Sequence, residues 1–177
     1  LGIPYDSDKA LETAETIMHF ISEEANKESE RLGKERGLFP AFTGSIYDTA
    51  DGLKPRNSSR TTIAPTGTLS IIAGCSSGIE PLFALSFTRH ILDGAELIEL
   101  NPYFEKVAHQ EKFYSPELIK QLSEGKKLKD MNHNIPDWVK NIFVTSHDIA
   151  PEWHVKMQAA FQKYTDSAVS KTVNLPH

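Results

Sequence analysis

The segment Ala64-Pro65-Thr66-Gly67-Thr68-Leu69-Ser70 holds residue types whose spacing could serve one kind of chemistry, the binding of a phosphate. Where Lys and Arg are absent, a phosphate needs backbone amides free to point at oxygen, hydroxyl donors, and the positive end of a helix dipole. Pro65-Thr66-Gly67-Thr68-Leu69 offers all three. Gly67 has no Cβ, so the main chain can come close to a ligand, and Thr66 and Thr68 bring hydroxyls. A helix beginning near Leu69 aims its unpaired amides back at the turn. The segment is not a P-loop, because no Gly-Lys-Ser/Thr follows a glycine at the required spacing. Taken alone, Thr-Gly-Thr after a strand is a weak signal, and a plain strand-to-helix turn with a Thr N-cap is the simpler account.

Few other residues invite a chemical role. Cys75 is the single cysteine, so no internal disulfide and no thiolate zinc site can form, and a reducing, cytosolic setting fits. It reads as a small buried hydrophobe. Glu80, within Gly78-Ile79-Glu80-Pro81, reads as an anchor for loop backbone amides rather than as an acid or base. The seven histidines show no ligand spacing such as His-x-x-x-His, so no metal site is expected. Only His154, beside Trp153 on a late helix, merits inspection.

The elements that must position the turn follow from periodicity. After Asp6 or Ser7 as N-cap, apolar residues fall at Ala10, Leu11, Ala14, Ile17, Met18, Ile21 and Ala25, which predicts an amphipathic helix ending near Gly33. A turn-rich connection runs from Gly37 to Asn57, with Phe39, Phe42 and Tyr47 packing it onto the protein. Thr61 to Ala64 is a β-branched run ended by Pro65, a strand feeding the turn, and Leu69 to Ala73 is helical. Leu82 to Ile91 and Ala168 to Val173 read as further strands. Asn101-Pro102 and Ser115-Pro116-Glu117 are cap-plus-Pro helix starts, and Pro136-Asp137-Trp138 opens another short helix. Pro151-Glu152 opens the clearest late helix, with Trp153, Met157, Ala160, Phe161 and Tyr164 on a core-facing stripe. Strands alternating with helices give an α/β piece.

The 177 residues are 39% hydrophobic and 24% charged, enough to bury a core. A net charge of -5 without a basic stripe argues against nucleic acid as a partner. Lys126-Lys127-Leu128-Lys129 reads as a solvated loop. No apolar run approaches the roughly 20 residues of a membrane helix, and the start is not a targeting peptide. Both ends, Leu1 and Asn174-Leu175-Pro176-His177, look cut from a longer chain.

Context decides what the turn is. The run Arg56-Asn57-Ser58-Ser59-Arg60-Thr61-Thr62-Ile63-Ala64-Pro65-Thr66-Gly67-Thr68-Leu69-Ser70-Ile71-Ile72-Ala73-Gly74-Cys75-Ser76-Ser77-Gly78-Ile79-Glu80-Pro81 closely resembles the ribonucleotide reductase catalytic chain. It carries that family's Arg-Asn-Ser lead-in, strand, phosphate turn, short helix and Gly-Ile-Glu-Pro loop in order. Leu1-Gly2-Ile3-Pro4-Tyr5-Asp6-Ser7 is similar to the family's helix entry, and Pro151 to Pro176 to its later helix and barrel strand, so the resemblance spans the chain.

The resemblance implies a portion of a ten-stranded α/β barrel, with residues 1–177 one fragment of that domain. It implies that Pro65, Thr66, Gly67, Thr68 and Leu69 hold the substrate's phosphates. Asn57 and Ser58, an Asx-type turn by their residues alone, would orient that turn from behind, with Ser70 and Glu80 also beside it. The family reduces the ribose 2'-hydroxyl by a thiyl radical on a finger-loop cysteine within an Asn-Pro-Cys motif. Nothing like that motif occurs here, so no catalytic residue is expected in this chain and it should not turn over alone. The Thr-Gly-Thr form is most similar to the adenosylcobalamin-dependent class; the alternative is the class whose radical comes from a diiron partner subunit. Implied partners are the ribonucleotide, the remainder of the parent chain and a thioredoxin-type reductant, in the cytoplasm and without nucleic acid or membrane. The competing reading is a non-catalytic binding or assembly module derived from the same fold.

Overall fold

The computed structural model describes residues 1–90, 96–131 and 134–175. They form two compact units. One comprises Leu1–Ser7, Glu80–Trp153 and the segment from Thr172; the other comprises Asp8–Ile79 and His154–Lys171. No helix among the described residues is long and apolar enough to cross a membrane.

The second unit carries the turn. Its first element, α1 (Asp8–Arg36), runs past the expected end near Gly33. Gly33 is no helix stop: a Cβ there would meet the Lys54 carbonyl oxygen at 2.5 Å, so its glycine serves the close approach of the incoming loop. The left-handed residue after the helix is Gly37, φ 83°. The loop is tied down at Ser29, whose carbonyl accepts from the Arg56 amide at 2.9 Å. Only Ala14 and Met18 of the predicted apolar stripe are buried outright; Ile17 and Ile21 stay exposed beside Phe20. Ion pairs three and four residues apart, Lys27 with Glu24 and Arg31 with Glu28 and Glu35, line the solvated side.

The expected strands at 61–64 and 168–173 shrink to one parallel bridge, Ile63 with Val169. Ile63 donates to the Ala168 carbonyl at 3.2 Å and accepts from the Ser170 amide at 2.8 Å. The ladder stops there for local reasons. Pro65 has no amide to give toward Ser170, and on the other side the Thr61 carbonyl accepts from the Ser167 amide at 3.0 Å, one residue out of register with the bridge. Then α2 (Gly67–Ala73) follows the turn, and α6 (Pro151–Gln162) returns to this unit with Met157 and Ala160 buried.

The first unit holds a hairpin and three α-helices. Strand β1 (Ser86–His90) pairs antiparallel with β2 (Glu96–Leu100), Thr88 opposite Ile98. The strand expected over 82–91 begins later because its first residues are used elsewhere: the Leu82 carbonyl accepts from Ser146 and the Leu85 carbonyl from Asn101. Its far end, Ile91, lies outside the described residues, and β2 was not foreseen. Helices α3 (Pro102–Gln110) and α4 (Pro116–Ser123) start as predicted, Asn101 accepting from the Tyr103 and Phe104 amides and Ser115 from Leu118. Helix α5 (Asp137–Ile142) follows a 3-10 turn at Leu128–Asp130. Lys126, Lys127 and Lys129 are solvent-exposed as read, while the turn buries Leu128 and Lys127 pairs with Asp148 at 3.4 Å. Leu85, Phe104, Phe113, Leu118, Val139 and Phe143 center the core, with Phe104 and Phe143 edge to face at 5.3 Å.

The described β structure is thus one antiparallel pair and one parallel bridge among six α-helices. Regular alternation of strand and helix is not seen in these residues.

Candidate functional site

The turn departs from an ordinary capped helix start. Thr66 sits at φ 49°, ψ 33°, left-handed, and its side chain makes no capping bond to α2. A β-branched residue there is strained by about 1–3 kcal/mol and persists only where surroundings hold it. Two bonds hold it: Thr66 Oγ1 accepts from the Gly78 amide at 3.0 Å, and the Thr66 carbonyl accepts from the Ser70 amide at 2.9 Å. Gly78, itself at φ 49°, crosses so close that a Cβ would lie 3.1 Å from the Ala64 carbonyl oxygen. The Gly78 loop therefore fastens the turn from one side.

With the Thr66 hydroxyl so used, the amides of Gly67, Thr68 and Leu69 have no hydrogen-bond acceptor among the described residues. All three residues are exposed. A left-handed residue followed by a right-handed one turns successive N–H groups into a concave nest that suits an anion. Gly67 has an ordinary helical backbone and open space around its would-be Cβ, so neither packing nor conformation demands glycine there. A close ligand would. Ser70 is buried and braces the turn, donating to the Gly67 carbonyl at 2.6 Å and pairing with Ser77 at 2.8 Å. Since its one proton goes to Gly67, the Ser77 hydroxyl is the donor between them.

The other residues expected near the turn are placed differently. Asn57 is bound to α1, its Oδ1 accepting from Ser29 Oγ at 3.2 Å and its amide donating to the same oxygen at 3.1 Å. It makes no hydrogen bond to the turn, and Ser58 is exposed. Glu80 belongs to the first unit, where its Oε1 accepts from the Thr172 amide at 2.7 Å, the work of a backbone anchor. Burial, with the Glu80 charge added, pushes the Tyr5 phenol well above its ordinary range. Cys75 corrects the sequence reading, for it is exposed rather than buried. It follows Gly74, whose left-handed backbone ends a helix too short to cover it.

Two arrangements went unpredicted. Arg60, with a side chain 6% exposed, pairs with Asp166 at 2.8 Å, donates to the Tyr47 hydroxyl at 3.1 Å and lies 5.2 Å from that ring's center. The Arg60 amide donates to the other Asp166 oxygen at 2.7 Å. This clamp sits just upstream of the Ile63 bridge. His154 is fully buried, its Nδ1 2.9 Å from the Lys171 ammonium. Lysine has only protons to give, so Nδ1 accepts and the ring proton is on Nε2. Asp166 lies 106 residues from Arg60 and Lys171 17 from His154, and no spacing rule links either pair.

An open groove of about 580 Å³ beside α1 is lined by Asp8, Glu12, Glu15, His19 and Tyr164. Two of its three carboxylates are paired with lysines, Glu15 with Lys163 at 2.7 Å and Glu12 with Lys9 at 3.8 Å. Among the described residues no three His, Cys, Asp or Glu side chains cluster as metal ligands.

Residues 1–177 match the family model described as the ribonucleotide reductase barrel domain. A vitamin B12-dependent ribonucleoside-diphosphate reductase of Thermoplasma acidophilum is 55% identical over 175 residues, 99% of this chain and 22% of that protein. A protein of the same description from Mycobacterium tuberculosis is 47% identical over 176 residues, 99% of this chain and 24% of that one. The solved class Id ribonucleotide reductase alpha subunit of Actinobacillus ureae shares the fold, with TM-score 0.74 at 23% identity, over 93% of this chain and 28% of its own. The chain thus spans about a quarter of the length of the relatives it matches. On that match along its whole length, the chain belongs to the ribonucleotide reductase barrel-domain family.

Proposed function

We propose that the chain is the substrate-phosphate-binding part of a ribonucleotide reductase that makes 2'-deoxyribonucleotides by thiyl-radical chemistry. Residues 1–177 are then one portion of a ten-stranded α/β barrel, and the radical cysteine is contributed by the remainder of the parent chain. The observation that carries this reading is the nest at Thr66–Leu69: a strained Thr66, three amides without acceptors, and a glycine that only a ligand requires. Amides of Gly67, Thr68 and Leu69 meet phosphate oxygens, and the Thr66 and Thr68 hydroxyls donate to them. Thr66 can do so while accepting from Gly78, because its proton is not used in that bond. Pro65 delivers the chain into the turn, and Ser70 with Ser77 keeps its shape.

Held by amides rather than by a lysine or arginine, the phosphates fix where the ribose lies, which is what radical abstraction at a chosen carbon needs. Adenosylcobalamin is the proposed radical source of the parent, supported by relatives described as vitamin B12-dependent at 47% and 55% identity. Among the described residues the fully buried histidine, His154, has its Nδ1 on Lys171, and none of them is assigned to the cofactor. The parent is cytoplasmic and takes electrons from a thioredoxin-type reductant in this reading.

The test is titration of inorganic diphosphate and of a ribonucleoside diphosphate into the full-length parent carrying Thr66→Ala with Thr68→Ala. Weaker binding of both ligands, by about ten-fold or more, is expected. Unchanged affinity and turnover would overturn the reading. Turnover assayed with and without adenosylcobalamin separates the cobalamin class from the diiron class.

A further inference from the structure

Ser70 gives both of its protons to the turn. Its amide donates to the Thr66 carbonyl at 2.9 Å and its hydroxyl to the Gly67 carbonyl at 2.6 Å. Each carbonyl shares a peptide unit with the amide of the following residue, so the two units reached are those that present the Gly67 and Thr68 amides. A hydrogen bond accepted at C=O draws electron density toward the oxygen and leaves the N–H of the same unit a stronger donor. Bonds in such a chain strengthen one another by about 10–30% each. The Ser70 hydroxyl is a link in the chain and not its start, because Ser77 donates to it at 2.8 Å. A line of donors thus runs from Ser77 Oγ through Ser70 Oγ to the Gly67 carbonyl and emerges at the Thr68 amide.

We propose that Ser77 is a positioning residue for the substrate's phosphate, acting through Ser70 on the peptide between Gly67 and Thr68. Bracing alone does not call for it: Ser70 and the Gly78 amide already fix the turn, and Ser77 makes no hydrogen bond of its own to residues 65–69. What Ser77 adds is direction. A hydroxyl turns freely about its Cβ–Oγ bond, and a donor seated on Ser70 Oγ leaves that oxygen's proton aimed at Gly67. Ser70 is buried and Ser77 half-buried, so the chain runs where hydrogen bonds polarise one another more than in water. In a turn without lysine or arginine the amides carry the anion, and their strength as donors governs how well it is held. The proposal deepens the phosphate reading and rests on it.

Calorimetric titration of the full-length parent with a ribonucleoside diphosphate, and with the nucleoside lacking phosphates, tests it. Ser77→Ala should weaken the diphosphate about three- to ten-fold and leave the bare nucleoside unaltered. Ser77→Thr, which restores the hydroxyl, should recover the affinity. Ser70→Ala should cost at least as much as Ser77→Ala, and adding Ser77→Ala to it should cost nothing further, because the chain is already cut. A Ser77 that only supports the fold would weaken both ligands alike and would add its loss to that of Ser70→Ala. Either result overturns the proposal, as does an unchanged diphosphate affinity or a failure of Ser77→Thr to recover it. If Ser70→Ala does not fold, the comparison of Ser77→Ala with Ser77→Thr decides alone. The variant carrying Thr66→Ala with Thr68→Ala separates the two ways of failing. Where it loses diphosphate affinity and Ser77→Ala does not, the phosphate reading stands and this proposal falls; where it binds as wild type does, both fall.

Discussion

Replacing Arg60 with Met removes the cation of the clamp while keeping much of its stem. Asp166, 22% exposed, then loses its 2.8 Å partner and keeps only the backbone amide at residue 60. The Tyr47 hydroxyl loses a donor and its ring a cation at 5.2 Å. Breaking one side of a buried pair costs about 3–5 kcal/mol; the partial exposure of Asp166 lowers this to about 2–3 kcal/mol. For a chain of this size each kcal/mol moves Tm by roughly 2–4 °C, so a fall of about 4–12 °C is expected. Urea denaturation of wild type, Arg60→Met, Asp166→Asn and the double variant closes a cycle. Its coupling energy should be about 1–2 kcal/mol, because Asp166→Asn keeps a hydrogen-bond acceptor for the residue 60 amide. Coupling below about 0.5 kcal/mol would show that the pair does not hold the 60–63 segment against 166–170, and the account of how the turn is positioned would fail.

The remaining expectations concern single residues. Gly33→Ala places a methyl 2.5 Å from the Lys54 carbonyl oxygen, and should destabilize by about 1–3 kcal/mol although alanine is the better helix former; a stabilized variant in a melting experiment would refute that placement. Burial opposes charge on Asp148, yet the Thr145 hydroxyl and amide and the Lys127 ammonium outweigh it and hold its carboxyl below the usual range. Its contribution is therefore present above pH about 4 and disappears as pH falls through the lowered value. The stability gap between wild type and Asp148→Asn should close on acidification, and a gap that widens would contradict the assignment.

What the sequence disclosed were features settled within a few residues. Asn101-Pro102 and Ser115-Pro116 announce helix starts because cap and amide lie two or three positions apart, and the 3 and 4 periodicity of α1 needs no partner to be seen. The turn was legible as residue types, but its strain was not: that Thr66 is left-handed depends on Gly78, twelve residues on. Gly33 was misread as a helix stop because the loop it admits, at Lys54, is invisible from its neighbors. Strand lengths were overestimated for the same reason, since Pro65 and the slip that puts the Ser167 amide on the Thr61 carbonyl end a ladder that β-branched residues alone would continue. Arg60 stood in the motif without a role until Asp166, 106 residues away, supplied one. Cys75 looked buried by composition and is exposed because the helix before it, α2, is too short to cover it.

The phosphate nest is tested most directly at Gly67, where a methyl meets no protein atom within 4 Å. Calorimetric titration of the full-length parent and its Gly67→Ala variant with a ribonucleoside diphosphate, and with the nucleoside lacking phosphates, separates ligand approach from folding. The account expects an unchanged or higher Tm, diphosphate affinity lower by about ten-fold or more, and unaltered affinity for the bare nucleoside. Diphosphate affinity equal to wild type would contradict it.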